Sequence, residues 1–135
     1  MSSKRIALKC RWISTPEDEI LRREAAAVAG LDVNDLPQSR VLSGAVKGLY
    51  GLLKNENTGY IPAAKLVVAC KLFDDHITVE EIRQTLEAVE GEHVLTERRL
   101  YYWVVLMFGD CNEEDFFDGL TELAQAAKSI RGVPF

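Results

Sequence analysis

The sequence predicts an all-α protein of about six helices, and three observations carry that prediction. Six segments combine a helix-start signal with apolar residues at helical spacing. Strand-type alternation is nearly absent, with only Arg5 to Ile13 readable as extended and too short to define a sheet. The composition, 47% hydrophobic and 27% charged, is that of an ordinary globular chain, and no low-complexity stretch interrupts it.

The helices follow in order. Thr15 offers a capping hydroxyl ahead of Pro16, Glu17 and Asp18, so a first helix starts there and runs to Ala29, stopping at Gly30. Residues 31–38 are turn-like, with Asp32, Asn34, Asp35 and Pro37. A second helix spans about Ser39 to Lys54 on the stripe Val41, Leu42, Val46, Leu49 and Leu53. After a polar break at 55–60, Pro62 opens a third helix through Phe73, with Leu66, Val67, Cys70 and Leu72. Thr78 and Glu81 make a capping box for a fourth, carrying Ile82, Leu86 and Val89. Thr96 caps a fifth from Glu97 to Phe108. Asn112, ahead of Glu113, Glu114 and Asp115, caps a sixth that shows Phe116, Phe117, Leu120, Leu123 and Ala124 and ends near Gly132 and Pro134. The domain reading is an N-terminal arm over 1–14 and a helical domain over 15–135.

Several function classes are disfavoured at once. A net charge of −5 is a poor start for a phosphate-seeking protein, so no nucleic acid is expected. No apolar run reaches membrane-spanning length, and the basic, polar N-terminus has no apolar core of the secretory kind. Cys10, Cys70 and Cys111 form an odd, scattered set that reads as reduced thiols, hence a cytoplasmic location. His76 and His93 sit in no metal or nucleophile motif, and Cys111 has only acids nearby, which raise a thiol pKa. No catalytic residue, metal or cofactor is therefore expected.

Two breaks resemble each other. The first runs Lys54-Asn-Glu-Asn-Thr-Gly-Tyr-Ile-Pro-Ala-Ala-Lys65, the second Ala88-Val-Glu-Gly-Glu-His-Val-Leu-Thr-Glu-Arg-Arg99. Each holds twelve residues, follows a helix, has an aliphatic residue at its eighth place (Ile61, Leu95) and begins a new helix at its ninth. With "TGYIPAAKL" followed by "HITVEEIRQTLEAV", the stretch 40–108, about half the chain, resembles a calmodulin-type EF-hand pair flanked by N- and C-terminal helices. The resemblance implies a two-residue antiparallel bridge between Ile61 and Leu95, and a sharp turn at Gly59.

Calcium chemistry does not survive in it. Such a loop needs oxygen ligands at its first, third and fifth places and a bidentate glutamate at its twelfth. The first loop offers Lys54, Glu56, Thr58 and then Lys65; the second offers Ala88, Glu90, Glu92 and then Arg99, with His93 where the turn glycine belongs. A cation stands at both twelfth places.

What the resemblance implies is a light-chain-like adaptor, cytoplasmic or cytoskeleton-associated, that clamps a partner's basic amphipathic helix without calcium. The apolar floor for that helix is sought in Leu72, Phe73, Leu86, Leu100, Tyr101, Trp103, Val104, Met107 and Phe108. The fifth helix, "LYYWVVLMF", is apolar nearly all round, so it is either central to the core or covered by something else. The sixth is expected to pack against the pair. The first fourteen residues, with Lys4, Arg5, Lys9 and Arg11 among Ile6, Leu8 and Trp12, read as an arm that docks through its apolar residues. A purely structural helical subunit of a larger assembly, and an enzyme with an unrecognised site, stand as alternatives.

Overall fold

Short-range capping chemistry sets the element boundaries. The structure, a computed structural model, describes residues 15–133. The N-terminal arm, its extended reading over Arg5 to Ile13, and Pro134 lie outside the described residues.

Six α-helices span the described chain: α1 (Pro16–Ala29), α2 (Ser39–Leu53), α3 (Ala63–Phe73), α4 (Val79–Ala88), α5 (Glu97–Phe108) and α6 (Glu113–Ser129), as the sequence predicts. Thr15 caps α1 through a full capping box with Asp18, whose carboxylate accepts from the Thr15 amide at 2.9 Å. The side chains of Thr78, Thr96 and Asn112 accept from the amides of Glu81 (3.1 Å), Arg99 (3.1 Å) and Asp115 (2.8 Å). Gly30, at φ 70°, closes α1 in the left-handed conformation that glycine adopts without a Cβ clash. Pro62 falls just before α3 rather than at its first turn, and Lys54 caps α2 from outside.

The only regular structure other than α-helix among the described residues, besides a short 3-10 turn over Val33–Asp35, is a pair of two-residue strands. Strand β1 (Ile61–Pro62) and strand β2 (Val94–Leu95) run antiparallel with Ile61 opposite Leu95. Both residues are fully buried, so the bridge is a core contact as well as a backbone one.

The core is built around α5. Leu100, Tyr101, Trp103, Val104 and Val105 are all at most 2% exposed, on every side of the helix. Helix α1 lies across one face of it, helped by the small buried residues Ala25 and Ala26, while α2 and α4 close the others. Two polar contacts tie α1 and α2 to it. Glu24 of α1 bonds both Arg98 and the Tyr102 hydroxyl of α5. The Tyr101 hydroxyl meets Ser43 Oγ of α2 at 3.3 Å. Helix α6 packs on α2 and α3, burying Phe116, Leu120, Leu123 and Ala127. It thus packs against the 40–108 pair, as expected. Among the described residues no helix is long and apolar enough to cross a membrane.

Arg22 is a positioning device that the sequence does not announce. Its guanidinium donates to the carbonyls of Pro37 (2.8 Å), Val33 (2.9 Å) and Leu36 (3.2 Å), and to Glu19 at 3.1 Å. The side chain is 13% exposed, so these carbonyls have little water to replace it. Arg22→Ala is expected to cost about 3 kcal/mol, since charged hydrogen bonds to carbonyls at a half-dry corner are among the stronger ones. In a thermal melt that appears as a fall of roughly 10 °C.

Candidate functional site

The first loop, 54–65, is closed on itself by its own amides. Asn55 Oδ1 accepts from Asn57 N (2.8 Å) and Thr58 N (3.2 Å), and Thr58 Oγ1 accepts from Tyr60 N (3.2 Å). Across the loop, Asn55 N donates to the Tyr60 carbonyl and Gly59 N to the Asn55 carbonyl, both at 2.8 Å. Gly59 has φ 75°, the sharp turn expected of it, and the Tyr50 hydroxyl donates to its carbonyl. Lys54 lies over the Tyr50 ring, 5.5 Å from the centroid. Glu56 and Thr58 are exposed. At the twelfth place, Lys65 is only 9% exposed and has no ion-pair partner among the described residues.

The second loop, 88–99, has a different shape. Ala88 is the last residue of α4, and Glu90 at φ 57° takes the left-handed conformation. Gly91 N donates to the Leu86 carbonyl at 2.8 Å and Glu90 N to that of Glu87 at 3.0 Å, a Schellman closure of α4. The left-handed residue is thus the third of the loop, not the sixth where His93 stands. Gly91 is required by crowding: a Cβ there would lie 2.9 Å from Leu95 Cγ. The Arg99 guanidinium pairs with Glu90 Oε2 at 3.0 Å, so the twelfth-place cation meets the third-place acid within one loop. Both partners are well exposed, and such a pair contributes at most about 1 kcal/mol. Glu92 is exposed. With His93 it rims a cleft of about 140 Å³ that also takes in Glu80, Arg83, Leu86 and Glu87.

The nine apolar floor residues do not form an open floor. Leu86, Leu100, Tyr101, Trp103, Val104 and Phe108 are buried within the chain itself. The reason is α1, which covers the α5 face that the sequence alone leaves for a partner. Trp103 donates to Thr85 Oγ1 at 2.9 Å and meets Phe108 edge-on, and Phe108 in turn meets Phe73. Phe73 and Met107 are half-buried, and Leu72 is 58% exposed. The surface that remains is the outer stripe Ala64, Val68 and Leu72 of α3, one residue per turn.

Titratable chemistry is muted. Burial pushes the Cys70 thiol up to about 12. Burial raises that of Cys111 too, with Asp110 and Asp115 adding to the effect that the sequence anticipates from its acidic neighbours. Neither is poised as a thiolate nucleophile. His76 is almost wholly exposed, with Nδ1 3.3 Å from Asp74 Oδ1 and 3.2 Å from Asp75 Oδ1. These three bring ligand atoms within 4.8 Å of one another, and they are what the described residues offer a cation. Asp74 Oδ1 accepts from the His76 amide at 3.0 Å, while the Asp75 and His76 side chains stand largely in solvent, unlike the buried and fixed ligands of a strong site.

A groove between α2 and α6 is a second feature that the sequence does not foretell. Gly44, Ala45, Gly48, Leu49 and Leu52 face Phe117, Thr121 and Ala124 across a space of about 400 Å³. Its one sequence signal is the spacing of Gly44 and Gly48, which leaves one face of α2 without side chains. Comparison with family models, with curated proteins and with solved structures finds no match.

Proposed function

We propose that the chain is a calcium-independent, light-chain-like adaptor: a degenerate EF-hand pair that holds a basic amphipathic helix of a protein partner. The observation that carries this reading is a combination. Two twelve-residue loops are joined through Ile61 and Leu95, while Lys65 and Arg99 stand at both twelfth places. The joined loops supply the scaffold of a helix-binding module, and the two cations remove its need for an ion. The acidic balance of the chain, −5, favours a basic ligand.

The stripe Ala64, Val68 and Leu72 is where such a helix is best received, since α1 occupies the inner face of α5. Val68 and Leu72 are 36% and 58% exposed, and Asp74 and Asp75 follow directly to supply an acidic rim. An adaptor of this kind needs no catalytic residue and no cofactor, and it works in the cytoplasm or on the cytoskeleton.

A labelled model helix of leucine and lysine, followed by fluorescence anisotropy, tests the reading. Binding in the micromolar range is expected, about −8 kcal/mol, with the same Kd in millimolar calcium and in chelator. Leu72→Asp is expected to weaken it about tenfold, the loss of one apolar contact. Calcium-dependent binding, a calcium-induced rise in Tm, or indifference to Leu72→Asp would each sink it.

A further inference from the structure

The groove between α2 and α6 exists because both of its walls lack bulk. Gly44, Ala45 and Gly48 share one face of α2, and a Cβ at Gly48 would meet nothing within 4 Å. Thr121 and Ala124 of α6 are short as well, so the helices leave about 400 Å³ open between them. Leu49 and Leu120, both at most 5% exposed, line it from the core side. Size and lining are those of a small-molecule site, which holds about 300–1,000 Å³ and often lies between the helices of a bundle. A protein partner asks for more, about 20–30 residues a side, whereas ten residues line this space.

Lys128 breaks the apolar pattern. It lines the groove from the last turn of α6 and pairs with no acid among the described residues. Residues 117, 121, 124 and 128 share one helix face, so Phe117 and Lys128 mark its two ends, about 16 Å apart. A helical side chain leans back toward the helix N-terminus, which brings the ammonium over the groove and away from the open carbonyls of the last turn. Arg131 follows three residues on, while Glu113, Glu114, Asp115 and Asp118 all lie toward the Phe117 end. Glu122 lies between and is not part of the lining.

We propose that this groove binds a free medium-chain fatty acid, its alkyl chain along Leu49 and Leu120 and its carboxylate at Lys128. An alkyl chain needs no hydrogen bond from the glycine and alanine faces that flank it, and it gains from leaving water. The carboxylate finds positive charge at one end only, which fixes the direction of binding. Lengths agree, since about twelve carbons in extended zigzag span about 14 Å. The site shares no residue with the α3 stripe Ala64, Val68 and Leu72, so it does not rest on the adaptor reading.

Isothermal titration calorimetry of the full chain with dodecanoate, kept below its micelle concentration, tests this. One dodecanoate per chain is expected, with a micromolar Kd, and decanoate, two methylenes shorter, should bind about tenfold more weakly. Gly48→Leu places a side chain in the groove and should weaken dodecanoate at least tenfold. Lys128→Glu should weaken it about fivefold and tighten dodecyltrimethylammonium by a similar factor. Leu72→Asp should change neither. A circular dichroism melt checks that each variant folds. No dodecanoate binding by the unaltered chain overturns the proposal, as does a Kd unmoved by Gly48→Leu. Equal Kd values for the two head groups, unmoved by Lys128→Glu, leave the carboxylate without a role and overturn it too. A dimer in sedimentation equilibrium that Gly48→Leu dissociates assigns the groove to a second copy. Flotation with phosphatidylcholine vesicles that Gly48→Leu abolishes assigns it to a membrane, and displacement of the model helix by dodecanoate assigns it to a partner. Each of these three overturns the proposal.

Discussion

Trp103→Ala is expected to remove about 4 kcal/mol of stability, near the upper end for a single core truncation. The indole is fully buried on the central helix, so the cavity has no solvent-exposed wall to collapse from. Its surroundings are also poorly able to relax. Phe108 stacks edge-on against it, and Phe108 is held by Phe73 in turn. The indole N–H donates to Thr85 Oγ1, which itself donates to the Ile82 carbonyl at 2.6 Å, so truncation also removes a donor from a half-buried hydroxyl. Trp103→Phe separates the two effects: it keeps most of the ring volume and is expected to cost about 1–2 kcal/mol. Urea titration measures both. A loss below about 1 kcal/mol for the alanine variant would mean that α5 is not the centre of the core.

Alkaline pH is expected to act on a similar scale. Burial raises the Cys70 thiol from its ordinary 9.0 to about 12 in the folded protein. Below pH 9 the thiol is protonated whether the chain is folded or not, and stability does not depend on it. Between 9 and 12 the unfolded chain loses that proton while the folded chain keeps it, so stability falls as pH rises. Three pH units at about 1.4 kcal/mol each make the loss about 4 kcal/mol once the folded value is reached. Tyr101 adds to the decline from pH 10, since burial pushes its hydroxyl up to about 12 against the opposing bond from Ser43. Melting temperatures between pH 8 and 11 follow the effect. Cys70→Ala lowers the starting stability but should flatten the early part of the slope. Parallel slopes in the two proteins would remove Cys70 as the cause.

Helix number and helix ends are legible in the sequence because each depends on residues close along the chain, whereas the Ile61–Leu95 pairing joins distant residues and is expected only from the resemblance of the two loops. Thr15, Thr78, Thr96 and Asn112 announce their helices through bonds only three residues long. The all-round apolarity of α5 announces its central place, since such a helix must be covered. What covers it is not legible. Helix α1 reaches α5 through Ala25, Ala26 and the Glu24–Arg98–Tyr102 cluster, and neither small residues nor one surface glutamate marks a helix as a lid. The expected open floor fails for that reason. The turn at Glu90 is hidden because the left-handed position carries no glycine, the glycine being demanded one residue later by Leu95. Of the Arg22 contacts the sequence offers only the helical pair with Glu19, because the other acceptors are backbone carbonyls.

The two anchors of α1 differ in how far along the chain they reach, and that difference orders events in time. Arg22 joins carbonyls 11, 14 and 15 residues away, whereas Glu24 reaches Arg98 and Tyr102 across 74 and 78. Closing the longer loop costs about 1.5 kcal/mol more in chain entropy, an expense that short-range contacts avoid. Helix α1 and its following corner are therefore expected to assemble early as a local unit, with docking onto α5 late. During refolding the apolar flank of α5 stays open to water until that last step. The same step, reversed, is the expected first partial opening of the native protein, which amide hydrogen exchange faster in α1 than in α5 would register.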